Sequence, residues 1–148
     1  MIILDDHLVR DFVAGELPPA LESADDEFAT TNLWLFRLAG ALAREGLGGS
    51  LSGRVKALGN EEVERFRREL AEQVEIFTIV PMEQIVWSMA DLQQRHREAG
   101  RPLSAAMAEG LAAAHHLGAA IAVAKGDVGP GLQAASEADG IDFRVIER

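Results

Sequence analysis

A short apolar segment ending in two acids, Ile2-Ile3-Leu4-Asp5-Asp6, is followed at once by a helical pattern. Apolar residues at every position, without alternation, indicate a strand buried on both faces, as in a parallel sheet. Open parallel sheets bind their ligands beyond the carboxyl ends of the strands. The two acids are therefore expected at the edge of the sheet where a site would form.

A second segment of the same kind, residues 119–123, leads into Lys125-Gly126-Asp127. The carboxyl ends of parallel strands meet at one edge of the sheet, so these two acidic positions can converge even though they lie far apart in sequence. Carboxylate oxygens are the ligands that Mg²⁺ and Mn²⁺ prefer. We therefore treat Asp5 and Asp127 as candidate ligands of one ion.

Strand-like and helical segments alternate along the whole chain. This alternation predicts a single α/β domain over residues 1–148, with a mostly parallel sheet of four or five strands flanked by helices in three layers. The segments 2–4, 76–80 and 119–123 are expected to be neighbouring parallel strands. Residues 16–27 are interpreted as a loop, and the glycine-rich run 46–53 as a helix terminator and turn.

Apolar residues at helical or strand spacing predict the core. The residues expected to be nearly fully buried are Ile85, Met89, Leu111, Ile121 and Leu132. The chain has more apolar helix surface than one small sheet can cover, which predicts a homodimer through a second group of residues: Trp34, Leu35, Leu38 and Leu42.

Composition excludes several classes of protein. The chain has no cysteine, which rules out disulfides, thiolate zinc sites and a cysteine nucleophile. Its formal net charge of −10 argues against a broad nucleic-acid surface. No apolar run approaches the roughly 20 residues that span a bilayer, so no membrane partner and a cytoplasmic location are expected.

From the second predicted strand onward the order of motifs becomes more specific. Phe77-Thr78-Ile79-Val80-Pro81 opens a helix, and Gly100-Arg101-Pro102-Leu103-Ser104 precedes an alanine-rich helix. The strand with its Asp127, a helix at Pro130 and the closing Gly140-Ile141-Asp142-Phe143-Arg144-Val145-Ile146 follow. In this order the chain resembles the PIN-domain family, the metal-dependent nuclease fold of many bacterial ribonuclease toxins.

The resemblance implies three or four acids that hold one or two Mg²⁺ or Mn²⁺ ions and activate a water against a phosphodiester. Asp5 matches the first acid and Asp127 the last, which makes them the candidate catalytic residues. The acid that opens the alanine-rich helix falls at Met107, whose thioether cannot replace a carboxylate for a hard cation. Asp6 and Glu109 are the remaining candidate ligands, and the acid cluster is incomplete.

Each candidate also has a purely structural interpretation. Asp6 is expected to cap the first helix, Glu109 to lie on a helix surface, and Asp127 to be a turn residue. His7 is expected to be exposed. The pair His115-His116 diverges by about 100° on a helix and cannot easily share one ion.

Two functions follow from the resemblance. In the first, a PIN-like domain with a degenerate metal site is inactive or weak as a nuclease and acts as a binding or regulatory module. In the alternative, it is an active Mg²⁺- or Mn²⁺-dependent endoribonuclease of toxin–antitoxin type that uses Asp5, Asp127 and a repositioned Glu109 or Asp6. The partners implied are RNA, an antitoxin-like protein and a second copy of the chain.

Overall fold

The structure, a computed structural model, describes residues 1–22, 27–43 and 59–148. The strands are β1 (Ile2–Leu4), β2 (Phe28–Thr30), β3 (Thr78–Ile79), β4 (Ala120–Ala124) and β5 (Phe143–Ile146). The helices are α1 (Asp6–Val13), α2 (Asn32–Ala43), α3 (Asn60–Gln73), α4 (Met82–Glu98), α5 (Ala105–Leu117) and α6 (Pro130–Ala138). The run 46–53, interpreted above as a turn, lies outside the described residues.

The strands form one five-stranded sheet in the order β3-β2-β1-β4-β5, and every pairing is parallel. The predicted α/β class and sheet are confirmed. One pairing was wrong, because β3 pairs with β2 and not with β1. The short strand β2 was not predicted, because its three residues, Phe-Ala-Thr, are too few to show a period and follow a polar segment.

The core lies on both faces of the sheet. Ile3 of β1 and Ile121 of β4 face the side covered mainly by α4, α5 and α6. The alternate residues Ile2, Leu4 and Ala122 face the side covered by α1, α2 and α3. Side chains alternate between faces along a strand, so one continuous apolar run supplies both cores and produces three layers.

The predicted core is confirmed at four of its five positions: Ile85, Leu111, Ile121 and Leu132 are at most 3% exposed. Met89 packs against the same cluster but is only partly buried.

The apolar residues of α2 do not form the surface on which the homodimer prediction was based. Trp34, Leu38 and Leu42 are buried within the chain itself, and Leu35 is partly buried. That premise was wrong, because α2 packs these residues into the two cores. The larger exposed apolar side chains include Trp87 and Phe36. Among the described helices, none is long and apolar enough to cross a membrane.

Candidate functional site

Between the central strand β1 and its neighbour β4 the order in which the chain adds strands to the sheet reverses. From β1 the chain continues to β2 on one side, and from β4 it continues to β5 on the other. In open α/β sheets the crevice outside such a switch point is the usual ligand site. Asp5 directly follows β1 and Asp127 lies shortly after β4, so both are placed at this crevice.

Asp5 bridges the switch point. Its Oδ1 accepts a hydrogen bond from the Leu8 backbone N–H at 2.9 Å and its Oδ2 accepts one from the Ala124 N–H at 3.0 Å. Asp5, not Asp6, is therefore the cap of α1, and the prediction for Asp6 was wrong. The side chain is buried, and this burial raises the pKa of Asp5 to about 6 against the opposing effect of the two hydrogen bonds.

Asp6 lies in the first turn of α1 and is 2% exposed. Its Oδ2 is 3.1 Å from Nε of Arg37, which reaches over from α2 with a half-exposed side chain. Burial raises the pKa of Asp6, and the Arg37 guanidinium opposes this shift. The cation facing this buried carboxylate is thus an arginine of the same chain.

His7 is 1% exposed, so the expectation of an exposed histidine was wrong. Its Nδ1 lies 2.5 Å from Oδ2 of Asp127, and Arg148 Nη2 lies 4.0 Å from the same oxygen. Burial lowers the pKa of His7 to about 4, although Asp127 acts in the opposite direction. His7 is therefore neutral near pH 7, with its Nδ1 against the side chain of Asp127.

Glu109 is fully buried, and the interpretation of it as a surface residue was wrong. Its Oε1 accepts from the Asn32 N–H at 3.0 Å and from Asn32 Nδ2 at 2.8 Å, and its Oε2 accepts from the Leu33 N–H at 2.7 Å. From α5, Glu109 thus caps the start of α2, where free N–H groups and the helix dipole favour an anion. No local sequence pattern predicts this capping role, because Asn32 and Glu109 are 77 positions apart in sequence.

Met107 lies in the first turn of α5, and its side chain packs closely against Gly129 at the start of α6. A β-carbon at Gly129 would lie 2.1 Å from the Met107 methyl group. The place where the resemblance implies an acid is therefore occupied by a thioether in van der Waals contact with the next helix.

The metal set implied by the resemblance does not fit this arrangement. Within residues 1–22, 27–43 and 59–148, no three carboxylate or imidazole side chains are grouped closely enough to hold a metal ion. A hard divalent ion takes about six or more oxygen ligands, whereas Asp5 and Glu109 use both of their oxygens to accept N–H groups. The ligand roles of Asp5, Asp6, Glu109 and Asp127 remain predictions.

A second polar cluster, not predicted from the sequence, surrounds the buried carboxylate of Asp139 just after α6. Oδ2 of Asp139 is 2.9 Å from His115 Nε2, 3.3 Å from His96 Nε2 and 2.8 Å from Arg95 Nη2. Although burial acts to raise it, these hydrogen bonds lower the pKa of Asp139. The cluster holds the C-terminal ends of α4, α5 and α6 together, and its role is therefore structural.

A similar fold occurs in a chain of the solved structure of FitAB bound to an IR36 DNA fragment. The two chains superpose with a TM-score of 0.58 at 18% identity, over 99% of this chain and 94% of that one. At that identity the likeness is one of fold, and together with the five-stranded parallel sheet it defines a three-layer PIN-like α/β domain. No protein-family model matches the chain, and no curated protein matches it significantly.

Asp5 and His7 affect the pH dependence of stability in opposite directions. The folded-state pKa of Asp5, about 6, lies above its ordinary value of 3.8, so its contribution is complete below that value and is lost as the pH rises through 6. The folded-state pKa of His7, about 4, lies below its ordinary value of 6.5. Its contribution is therefore complete above pH 6.5 and is lost as the pH falls through 4.

Single substitutions should separate the two effects. We expect the difference in unfolding free energy between wild type and Asp5→Asn to fall by roughly 2–3 kcal/mol from pH 4 to pH 7. The difference between wild type and His7→Asn should change in the opposite direction over the same range. Urea unfolding at several pH values measures both, with the exposed Asp91→Asn as control. Differences that do not vary with pH would contradict the two pKa shifts.

Proposed function

We propose that this chain is a PIN-like domain without nuclease activity that acts as a binding or regulatory module. The observation that carries the proposal is that each candidate acid faces an internal partner. Asp5 and Glu109 cap helices, Asp6 faces Arg37, and Asp127 faces His7. Carboxylates engaged in this way are not arranged to share a cation.

The proposed partner is an antitoxin-like protein. Support comes from the fold, which FitAB contains in an assembly bound to DNA. Charge adds a second argument: a chain with a net charge of −10 attracts a basic surface and repels the phosphate backbone of RNA. We therefore propose a protein rather than RNA as the partner of this domain.

Calorimetry with Mn²⁺ and incubation with a mixed RNA pool test the proposal on the whole chain. We expect a dissociation constant of about 1 mM or weaker, as for sites poor in charged ligands, and no cleavage that depends on the acids. Asp127→Asn is the main variant. Asp5→Asn accompanies it, with circular dichroism to check folding, because an amide cannot accept both backbone N–H groups.

The alternative is an active Mg²⁺- or Mn²⁺-dependent endoribonuclease. It is favoured by the position of Asp5, Asp6 and Asp127 at one switch point, close enough for Asp127 to help raise the pKa of both other acids. Micromolar Mn²⁺ binding, together with RNA cleavage that is lost in a folded Asp127→Asn variant, would establish this function and overturn the first.

A further inference from the structure

Arginines from three separate parts of the chain lie close to the acids at the switch point. Arg10 pairs with the adjacent Asp11, Arg37 approaches Asp6 from α2, and Arg148 follows β5. Arg148 lies 3.5 Å from Asp11 Oδ2 and 4.0 Å from Asp127 Oδ2, with its side chain 11% exposed. All three guanidinium groups act on His7, whose pKa they help to lower.

This charge balance differs from that of a divalent metal site. The described groups around the switch point comprise four carboxylates and three guanidinium groups: Asp5, Asp6, Asp11, Asp127, Arg10, Arg37 and Arg148. A site for a divalent ion needs an excess of negative charge, because repulsion between carboxylates is relieved by the ion itself. Here Arg37 offsets part of that repulsion at Asp6, although Asp127 still acts to raise the pKa of this carboxyl.

We infer that Arg37 is a resident counter-ion of this pocket, which neutralises Asp6 in place of a divalent cation and thereby sets the metal affinity of the site. Arg37 is the one of the three arginines whose side chain is half-exposed, at 53%. A metal ion arriving from solvent would therefore meet it before the buried acids. The inference rests on the proposed function, since it explains why the acids of a PIN-like domain hold no divalent ion tightly.

Mn²⁺ titration of Arg37→Gln, followed by electron paramagnetic resonance, tests the inference. Removing one positive charge within about 5 Å of a divalent ion should tighten Mn²⁺ binding at least about tenfold over wild type, even in a partly solvated site. Arg37→Lys keeps the charge and should bind Mn²⁺ as weakly as wild type. Arg97→Gln, at an exposed position near the end of α4, removes the same charge elsewhere and should change nothing.

The outcomes separate this inference from the proposed function. Unchanged Mn²⁺ affinity in Arg37→Gln, or equal tightening in Arg37→Lys, overturns the inference and leaves the proposed function standing. Micromolar Mn²⁺ affinity in the wild type overturns the inference, and together with RNA cleavage that is lost in a folded Asp127→Asn variant it also overturns the proposed function. Circular dichroism confirms that each variant is folded, and Arg37→Met, which keeps the aliphatic stem, serves as a second neutral variant.

Discussion

Replacing Glu109 with alanine should lower the free energy of unfolding by roughly 2–5 kcal/mol. The buried carboxylate accepts the backbone N–H groups of Asn32 and Leu33 and the side-chain amide of Asn32. Each buried donor left without a partner costs about 1–3 kcal/mol, and the start of α2 also loses the anion that its dipole favours. Urea unfolding followed by circular dichroism measures the loss.

Two further variants make this result specific. Glu109→Gln retains one carbonyl oxygen but turns an amide NH₂ group toward an N–H donor, so its loss should fall between those of wild type and alanine. Glu72→Ala removes an exposed carboxylate from α3 and should change stability by less than about 0.5 kcal/mol. A loss below about 1 kcal/mol for Glu109→Ala would show that the cap is dispensable and return Glu109 to the set of candidate metal ligands.

Leu111→Ala should cost roughly 2–5 kcal/mol, the usual range for removing a large side chain from a core that cannot collapse around the gap. Leu111 is fully buried on α5, in the cluster that also contains Ile3 and Ile121. Chemical denaturation at neutral pH measures the loss. Val86→Ala serves as control on α4, where 43% of the residue is exposed and the expected loss is small. A loss below about 1 kcal/mol would mean that α5 does not pack against the centre of the sheet.

The sequence predicted the parts of the fold that depend on local pattern. Unbroken apolar runs identified β1 and β4, and their strand ends correctly placed Asp5 and Asp127 at one edge of the sheet. The short β2 escaped prediction because three residues carry no period. The pairing of β3 was wrong for the same reason, since β2 lies between it and β1.

The side-chain contacts of the site could not be predicted from local sequence pattern. Glu109 looks like a surface residue in a run of alanines, and only the approach of α2 makes it a cap. Likewise, Arg37 and Arg148 become neighbours of Asp6 and Asp127 only after the sheet has formed. Spacing along a helix predicts which face is apolar, but it does not predict which distant donor or cation meets a buried carboxylate.

The central place of β1 has a consequence for synthesis on the ribosome. One neighbour, β2, ends at Thr30, but the other, β4, is complete only at Ala124. Until then one edge of β1, apolar on both faces, has no strand to pair with, and such edges invite pairing with other chains. Nascent chains of this domain should therefore expose an unpaired strand edge, and with it a risk of aggregation, until β4 has been synthesised.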